Sequence, residues 1–549
     1  MSRSSVNRSS DVLAGSLAMK AIATLVKWAG ASAVIGIVRA ALMWMAMPCR
    51  QIALVSSRLL DGSAVAGLFR GRPTGLSRYL PGSVSASAVS SCMNAVRSIV
   101  RPVTRTAILW WNWSITGSAL RRLVSAVHGM RDRPPANGSL FVDLSVRLLD
   151  AVTAEPAAAG LALILGIIPF APTTGLVVLS LVLAGIEVCR WSLAAAGDGR
   201  RRVPTRGAAD VPALFLLFAV LLAVVTSASR RASIPALILW CGYAGVFLVS
   251  SSVRPSRSAL RMVAAALVVS AVLVSAAGIV QFIRKPETSL SWIDTKVFES
   301  ITTRVYSVFD NPNILAEFLA LALPLAVALL LNGGSTAILL VPAIAAIGLC
   351  LAVTFSRGGW VAAAIGVAVV VAVKDRRLLA LALVVAIITF PLLPEAIRTR
   401  AVTAATMEDS SSKYRFTIWK SSLRMAGDYW ASGVGLGSSA FSFVYPAYEI
   451  AGTPAAHTHN LYLQVLVEMG APGLLVFVWL LACFFGETWR AKTADGLIFA
   501  GLAGGIAGQI VHGVFDNIWY SPKIVFLFWA VFGLALAASR GAPGERSAP

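Results

Sequence analysis

Between residues 155 and 540 the chain alternates long apolar runs with short polar joints. An apolar run of about 17–25 residues is long enough to cross a bilayer as one helix. Twelve stretches read as spans: roughly 157–171, 174–192, 211–228, 233–252, 259–283, 313–332, 336–355, 359–373, 377–394, 461–485, 496–515 and 522–539. The first two are short, and Pro-Phe-Ala-Pro-Thr-Thr-Gly at 169–175 parts them as a helical-hairpin turn. The pattern predicts an all-α polytopic membrane protein with about 12 transmembrane helices. The 395–460 loop is too long for a connector and holds a helical pattern of its own.

Basic residues favour the cytoplasmic side of a membrane and so orient the spans. With the N-terminus inside, the inner joints contain Arg190, Arg200, Arg201, Arg202 and Arg206, then Arg254, Arg257 and Arg261, then Lys374, Arg376 and Arg377, then Arg490 and Lys492. The outer joints are poorer, apart from Arg230, Arg231 and a mixed-charge loop at 284–310. This orientation puts four polar segments outside: the 284–312 loop, the Ser-Arg-Gly-Gly-Trp turn at 356–360, the 395–460 loop and the 512–521 turn. Candidate polar residues thus converge on one face.

Composition agrees, at 57% apolar and only 13% charged residues. That balance excludes a water-soluble globule. A net charge of +22 is of the sign that nucleic acid attracts, but residues 1–150 alone hold 18 Lys/Arg against 5 Asp/Glu. Basic segments next to spans contact anionic headgroups, so membrane lipids are expected partners and nucleic acid is not. The stretch 20–47 carries Lys20, Lys27 and Arg39 at amphipathic spacing, and Trp110, Trp111 and Trp113 follow in a Ser/Arg-rich region. Residues 1–150 therefore read as a basic, cytoplasmic, membrane-associated region, without a signal-peptide cleavage site. The transmembrane domain is 155–540.

Two of the four histidines, His457 and His459, lie side by side where the long loop meets an apolar run. An imidazole there can act as a base near neutral pH or bind phosphate when charged. Glu468, further into the same run, and Glu317, inside another, are carboxylates at costly positions. Arg357 stands before two glycines at an outer helix end. It suits phosphate oxygens, although an interfacial arginine snorkelling to headgroups explains it equally well. Arg415 and Trp419 are four apart, hence on one helix face, and a solvated face is the simpler account of Arg415 taken alone. Asn311 before Pro312 and Asn313 is a good helix start without any function. His512 and Asp516 sit at an outer turn and are weak signals alone. The turn 432–437, Ser-Gly-Val-Gly-Leu-Gly, is no P-loop, because no Gly-Lys-Ser/Thr follows. Neither the six cysteines nor the histidines have metal-site spacing, and no metal or cofactor is expected.

His459-Asn460, nine residues, Gly470, two residues and Gly473 resemble the signature of the O-antigen ligase and Wzy-type polymerase superfamily. Asn311-Pro312-Asn313, the Ser356-Arg357-Gly358-Gly359 turn and Arg415-x-x-x-Trp419 resemble further landmarks, in the family's order. The resemblance covers roughly 155–540. It implies a variant of the membrane-bound C-type glycosyltransferase fold in a bacterial cytoplasmic (inner) membrane. It also implies metal-independent transfer of a glycan from an undecaprenyl-diphosphate-linked donor to a saccharide, glycolipid or protein acceptor, outside that membrane. The residues it assigns to catalysis are His459, Arg357 and Arg415, with His457, Asn313, Glu317, Glu468 and Trp419 as substrate-binding candidates. Two other classes compete: a transporter or flippase for a lipid-linked saccharide, and a non-catalytic partner in envelope assembly. A transporter would place charges near span centres in repeated halves. Here the span centres are nearly charge-free and no internal repeat is visible.

Overall fold

The computed structural model describes residues 155–196, 207–253, 256–284, 303–333, 337–392, 394–406, 410–491 and 496–540. All lie in one unit, Val96–Pro549. The expectation for residues 1–150 falls outside them. The described residues form helices and no strands. The first five are α1 (Pro156–Ile167), α2 (Thr173–Ala196), α3 (Asp210–Val225), α4 (Arg230–Ser251) and α5 (Arg257–Arg284). There follow α6 (Pro312–Leu331), α7 (Ala337–Val353), α8 (Arg357–Lys374) and α9 (Arg376–Thr389). The long loop contributes α10 (Glu395–Thr406), α11 (Ser410–Asp428) and α12 (Gly437–Val444). The chain closes with α13 (Leu461–Arg490), α14 (Gly496–His512) and α15 (Pro522–Arg540).

Among the described residues, seven helices are long and apolar enough to cross a membrane: α2, α4, α5, α6, α8, α13 and α15. α1, α3, α7 and α14 are apolar but shorter. The stretch expected to span at 377–394 is α9, only 14 residues long before a 3-10 turn at Phe390–Leu392.

α6, α8 and α14 form the tightest group. Apolar burial does not drive helices together in lipid, so close backbone approach must. A Cβ on Gly508 would meet the Ala362 carbonyl at 2.2 Å, and one on Gly366 would meet Pro324 at 2.4 Å. α15 runs through the interior against α4, with Phe526, Phe528 and Phe532 fully buried and Trp529 against Phe247. Its far end is anchored by Arg540, which pairs with Asp210 at 2.7 Å and Glu487 at 3.1 Å.

α13 breaks at Gly470, whose φ of 70° and ψ of −177° suit glycine alone. Pro472 has no N–H, so the Glu468 carbonyl loses its helical partner. Loop backbone replaces it: Gly435 N–H bonds the Glu468 carbonyl at 3.2 Å and Val434 N–H the Val467 carbonyl at 2.8 Å. In return Ala471 N–H bonds the Trp430 carbonyl at 2.6 Å. The glycine-rich turn is thus a clamp between the long loop and a broken helix. A Cβ on Gly470 would lie 2.8 Å from Ala431 and Trp430 backbone atoms. Gly470→Ala is expected to cost about 2–3 kcal/mol through backbone strain. A lowered thermal midpoint in detergent, with faster proteolysis at 432–437, would show it.

Candidate functional site

The site forms where the first turns of α6 and α8, the segment leading into α13, the end of α14 with the turn after it, and the first half of α11 meet. Asp516, in the turn between α14 and α15, is its hub and is buried. Its Oδ2 accepts from Asn313 Nδ2 at 3.0 Å and from Arg415 Nη2 at 3.3 Å. Its Oδ1 meets His459 Nδ1 at 3.0 Å and accepts from the Asn517 amide at 2.9 Å. Burial alone would raise the Asp516 pKa. Arg415, His459 and His457 outweigh burial and hold the carboxyl well below the usual carboxylate range. Asp516 is therefore ionised, and of the two neutral tautomers of His459 it favours the one with the proton on Nδ1, facing it. The Nε2 lone pair is left to accept a proton.

Local structure fixes each of these side chains. Asn311 accepts from the Asn313 amide and caps α6, so the helix start directs Asn313 at Asp516. Asn460 caps α13 through Leu463 N–H at 2.8 Å and bonds the Val514 carbonyl at 2.8 Å, tying that cap to the Asp516 turn. Between these, His459 adopts φ 51°, an uncommon conformation for a residue with a side chain. Phe355, two residues before Arg357, has φ 52°. Strain of this kind persists where the surroundings over-determine it, and it clusters at functional sites.

Arg357 is the first residue of α8, where the helix dipole adds positive charge. Gly358 beside it cannot take a side chain, because a Cβ would lie 2.4 Å from the His512 ring. Arg357, Arg415, Gly358, Asn313, His512 and Asp516 line a narrow cavity of about 40 Å³. Arg304 lines it too. It is buried, and it bonds the Thr354 carbonyl at 2.9 Å and Asn313 Oδ1 at 2.9 Å. Three guanidinium groups therefore line one cavity with an anionic carboxylate, which Arg415 bonds directly. Beneath them Glu317, Gln509 and His512 are buried in the α6–α14 contact, and Gln509 Nε2 bonds the Glu317 carbonyl at 2.7 Å.

His457 packs over His459 with ring centroids 4.0 Å apart, and its Nδ1 accepts the His459 amide at 3.2 Å. Burial, with His459 next, lowers its pKa to about 3, so it is a neutral ring at physiological pH. Its accepting Nδ1 puts the ring proton on Nε2. Glu468 lies further along α13 and accepts from Gln464 Nε2 at 2.7 Å. Gln464 in turn accepts the Thr458 amide at 2.8 Å, so the carboxylate is linked to the histidine segment.

Of the residues expected from sequence, the structure gathers Arg357, Arg415, His459 and Asn313 around Asp516, with Glu317 beneath and His457 and Glu468 to one side. Trp419 stands apart: it packs against Phe416 and the Ile418–Met425 cluster and does not line the arginine cavity. Two residue sets have the donor atoms for a cation: His457, His459 and Asp516, and Glu317, His512 and Asp516. Histidine spacing in the sequence points to neither set, because the carboxylates come from other helices. Asp516 is common to both sets, its oxygens already engaged, and three arginines line the same cavity and oppose a further positive charge.

Arginines from separate helices and an oriented histidine thus meet beside a buried carboxylate at one end of an apolar bundle. Residues 342–478 match the family model described as O-antigen ligase. This segment, and not the whole chain, is similar to that family. It contains Arg357, Arg415, His457, His459 and Glu468, whereas Arg304, Asn313, Glu317 and Asp516 come from outside it. No curated protein matches the chain. The likeness to that family and the seven long apolar helices together point to a membrane protein.

Proposed function

We propose that the protein transfers a glycan from an undecaprenyl-diphosphate donor to an acceptor hydroxyl on the outer face of the cytoplasmic membrane. The observation that carries this reading is the junction at Asp516, where arginines from separate helices and the His459 imidazole meet. Arg357 and Arg415, with Arg304 beside them, stabilise the charge that develops on the diphosphate as it leaves. His459 Nε2 takes the proton of the acceptor hydroxyl. The acceptor oxygen bonds the anomeric carbon as the bond from that carbon to phosphate breaks, and the diphosphate lipid departs with the electron pair. Inversion follows, with no covalent enzyme intermediate. Asp516 holds the histidine tautomer, in the manner of the aspartate in a Ser-His-Asp triad.

The membrane arrangement belongs to the same reading. The four shorter apolar helices and α9 complete twelve crossings in a variant of the C-type glycosyltransferase fold. The outer position of the site is supported by the basic inner joints. The reaction uses no metal, because the guanidinium groups supply the positive charge.

The test is turnover by the purified full-length protein in nanodiscs with undecaprenyl-diphosphate oligosaccharides and candidate acceptors. Release of glycan from the lipid, unchanged after EDTA treatment, is the expected result. Longer lipid-linked glycan identifies a polymerase, and sugar on a separate acceptor a ligase. Lipid movement in vesicles without any turnover would replace this reading with a flippase, and turnover abolished by EDTA would end the metal-free mechanism.

A further inference from the structure

A second cavity, of about 240 Å³, lies on the other side of the histidine pair. It opens between the outer part of α4, the first turns of α13 and α15, and the start of α12. None of its lining residues belongs to the arginine cavity. Small-ligand sites run about 300–1,000 Å³, so this volume suits a single ring rather than an extended ligand or a lipid chain.

Its walls combine aromatic faces with hydrogen-bonding groups. Trp240, Tyr243, Trp519 and Tyr520 supply the rings. Tyr520 stacks on His457 with centroids 4.1 Å apart, and Trp519 meets Trp240 edge-on at 5.6 Å. The Trp519 indole nitrogen is buried and has no hydrogen-bond partner among the described residues. Glu468 offers carboxylate oxygens, and the Nε2–H of neutral His457 is a donor. A pyranose presents the complement, with C–H faces to lie on aromatic rings and hydroxyls that both donate and accept. An anion would meet Glu468, and no arginine or lysine lines this cavity.

We infer that this cavity is a saccharide subsite that holds the acceptor sugar, with Glu468, Trp519 and His457 as its recognition residues. The inference rests on the transfer reading above and assigns its acceptor side. Inverting attack requires the nucleophile to approach opposite the leaving group. The arginine cavity takes the diphosphate, and the His457–His459 pair stands between the two cavities. His459 Nδ1 is held on the Asp516 side, so its proton-accepting Nε2 lies across the ring from that carboxylate. Gln464 links Glu468 to Thr458, between the two histidines, so a hydroxyl bound by Glu468 is registered to the base.

The first measurement is binding without catalysis. The full-length protein in nanodiscs is titrated with oligosaccharides released by mild acid from envelope glycans of the source bacterium, with tryptophan fluorescence as readout. Trp240 and Trp519 line the cavity, so a saturable change is expected in the wild type and in His459→Ala. At least tenfold weaker binding is expected in Glu468→Gln, in Trp519→Phe and in Ser439→Trp. Ser439 is an exposed rim position, so its variant blocks the cavity while sparing the core. In the transfer assay the same variants should raise the acceptor KM at least tenfold and leave the donor KM within twofold. Donor KM rising instead, or binding unchanged in all three variants, would overturn the assignment. Saccharide binding lost in the variants, with no turnover in the wild type, would uphold a sugar pocket and remove the transfer reading on its own.

Discussion

Asp516→Asn is expected to lower kcat by about 10²–10⁴-fold while donor KM changes only a few-fold. Asparagine preserves shape and can still meet Arg415 and Asn313. It removes the charge that keeps the His459 proton on Nδ1, so the ring can present N–H rather than a lone pair to the acceptor. The loss corresponds to about 3–5 kcal/mol of barrier. Asn is a better probe than Ala, because it keeps a side-chain acceptor of the same shape, where Ala would open a cavity and leave part-buried donors such as the Asn313 side-chain amide without a partner. A merely structural role would lower the thermal midpoint and move kcat little. Single-turnover rates measured beside thermal unfolding in detergent separate the two.

Arg357→Ala should cost about 10²–10³-fold in kcat, the magnitude found when one preorganised donor to a developing anion is removed. Arg357→Lys should recover only part of it, because an ammonium lacks the planar fork that meets two phosphate oxygens together. The arginine is half-buried in the first turn of α8, where both replacements suit a helix, so thermal unfolding of each variant is measured beside its rate. Rates followed by release of undecaprenyl diphosphate check this directly. Full activity in Arg357→Ala would remove the arginine from the mechanism and favour a role at the lipid headgroups.

These two residues differ in how visible they are in the chain. Arg357 is flagged by its neighbours: Gly358 admits the His512 ring, and both glycines stand at a helix start between apolar runs. Asp516 has no such local mark. It lies 57 residues beyond His459 and 101 beyond Arg415, and only tertiary packing shows that it joins them. Arg304 is hidden for the same reason, as one charge among several in a mixed loop. The His-Asn…Gly-x-x-Gly spacing is legible as a pattern, but its cause is not. Asn460 caps the helix, and Gly470 breaks it so that loop backbone can bind the carbonyls of Val467 and Glu468.

Apolar runs locate the helices well, because burying backbone polar groups in lipid leaves little choice but helix. Number and length of crossings are less legible: α1, α3, α7 and α14 are shorter than a perpendicular span needs. Trp419 shows the limit of same-face reasoning. Spacing aligns it with Arg415, yet its ring packs into the Ile418–Met425 cluster while the arginine reaches Asp516. The aromatic cavity gives no signal at all in the sequence, since its walls come from four separate helices and the α14–α15 turn.

If His459 is the base of a glycan transfer, removing its imidazole must remove the transfer. Purified wild-type protein and His459→Ala, matched for thermal stability, are incubated with undecaprenyl-diphosphate oligosaccharide and acceptor, and glycan bonded to the acceptor is counted over time. Transfer by the wild type and loss of at least about 10²-fold in the variant is the predicted result. Equal rates in the two proteins would rule out His459 as the base.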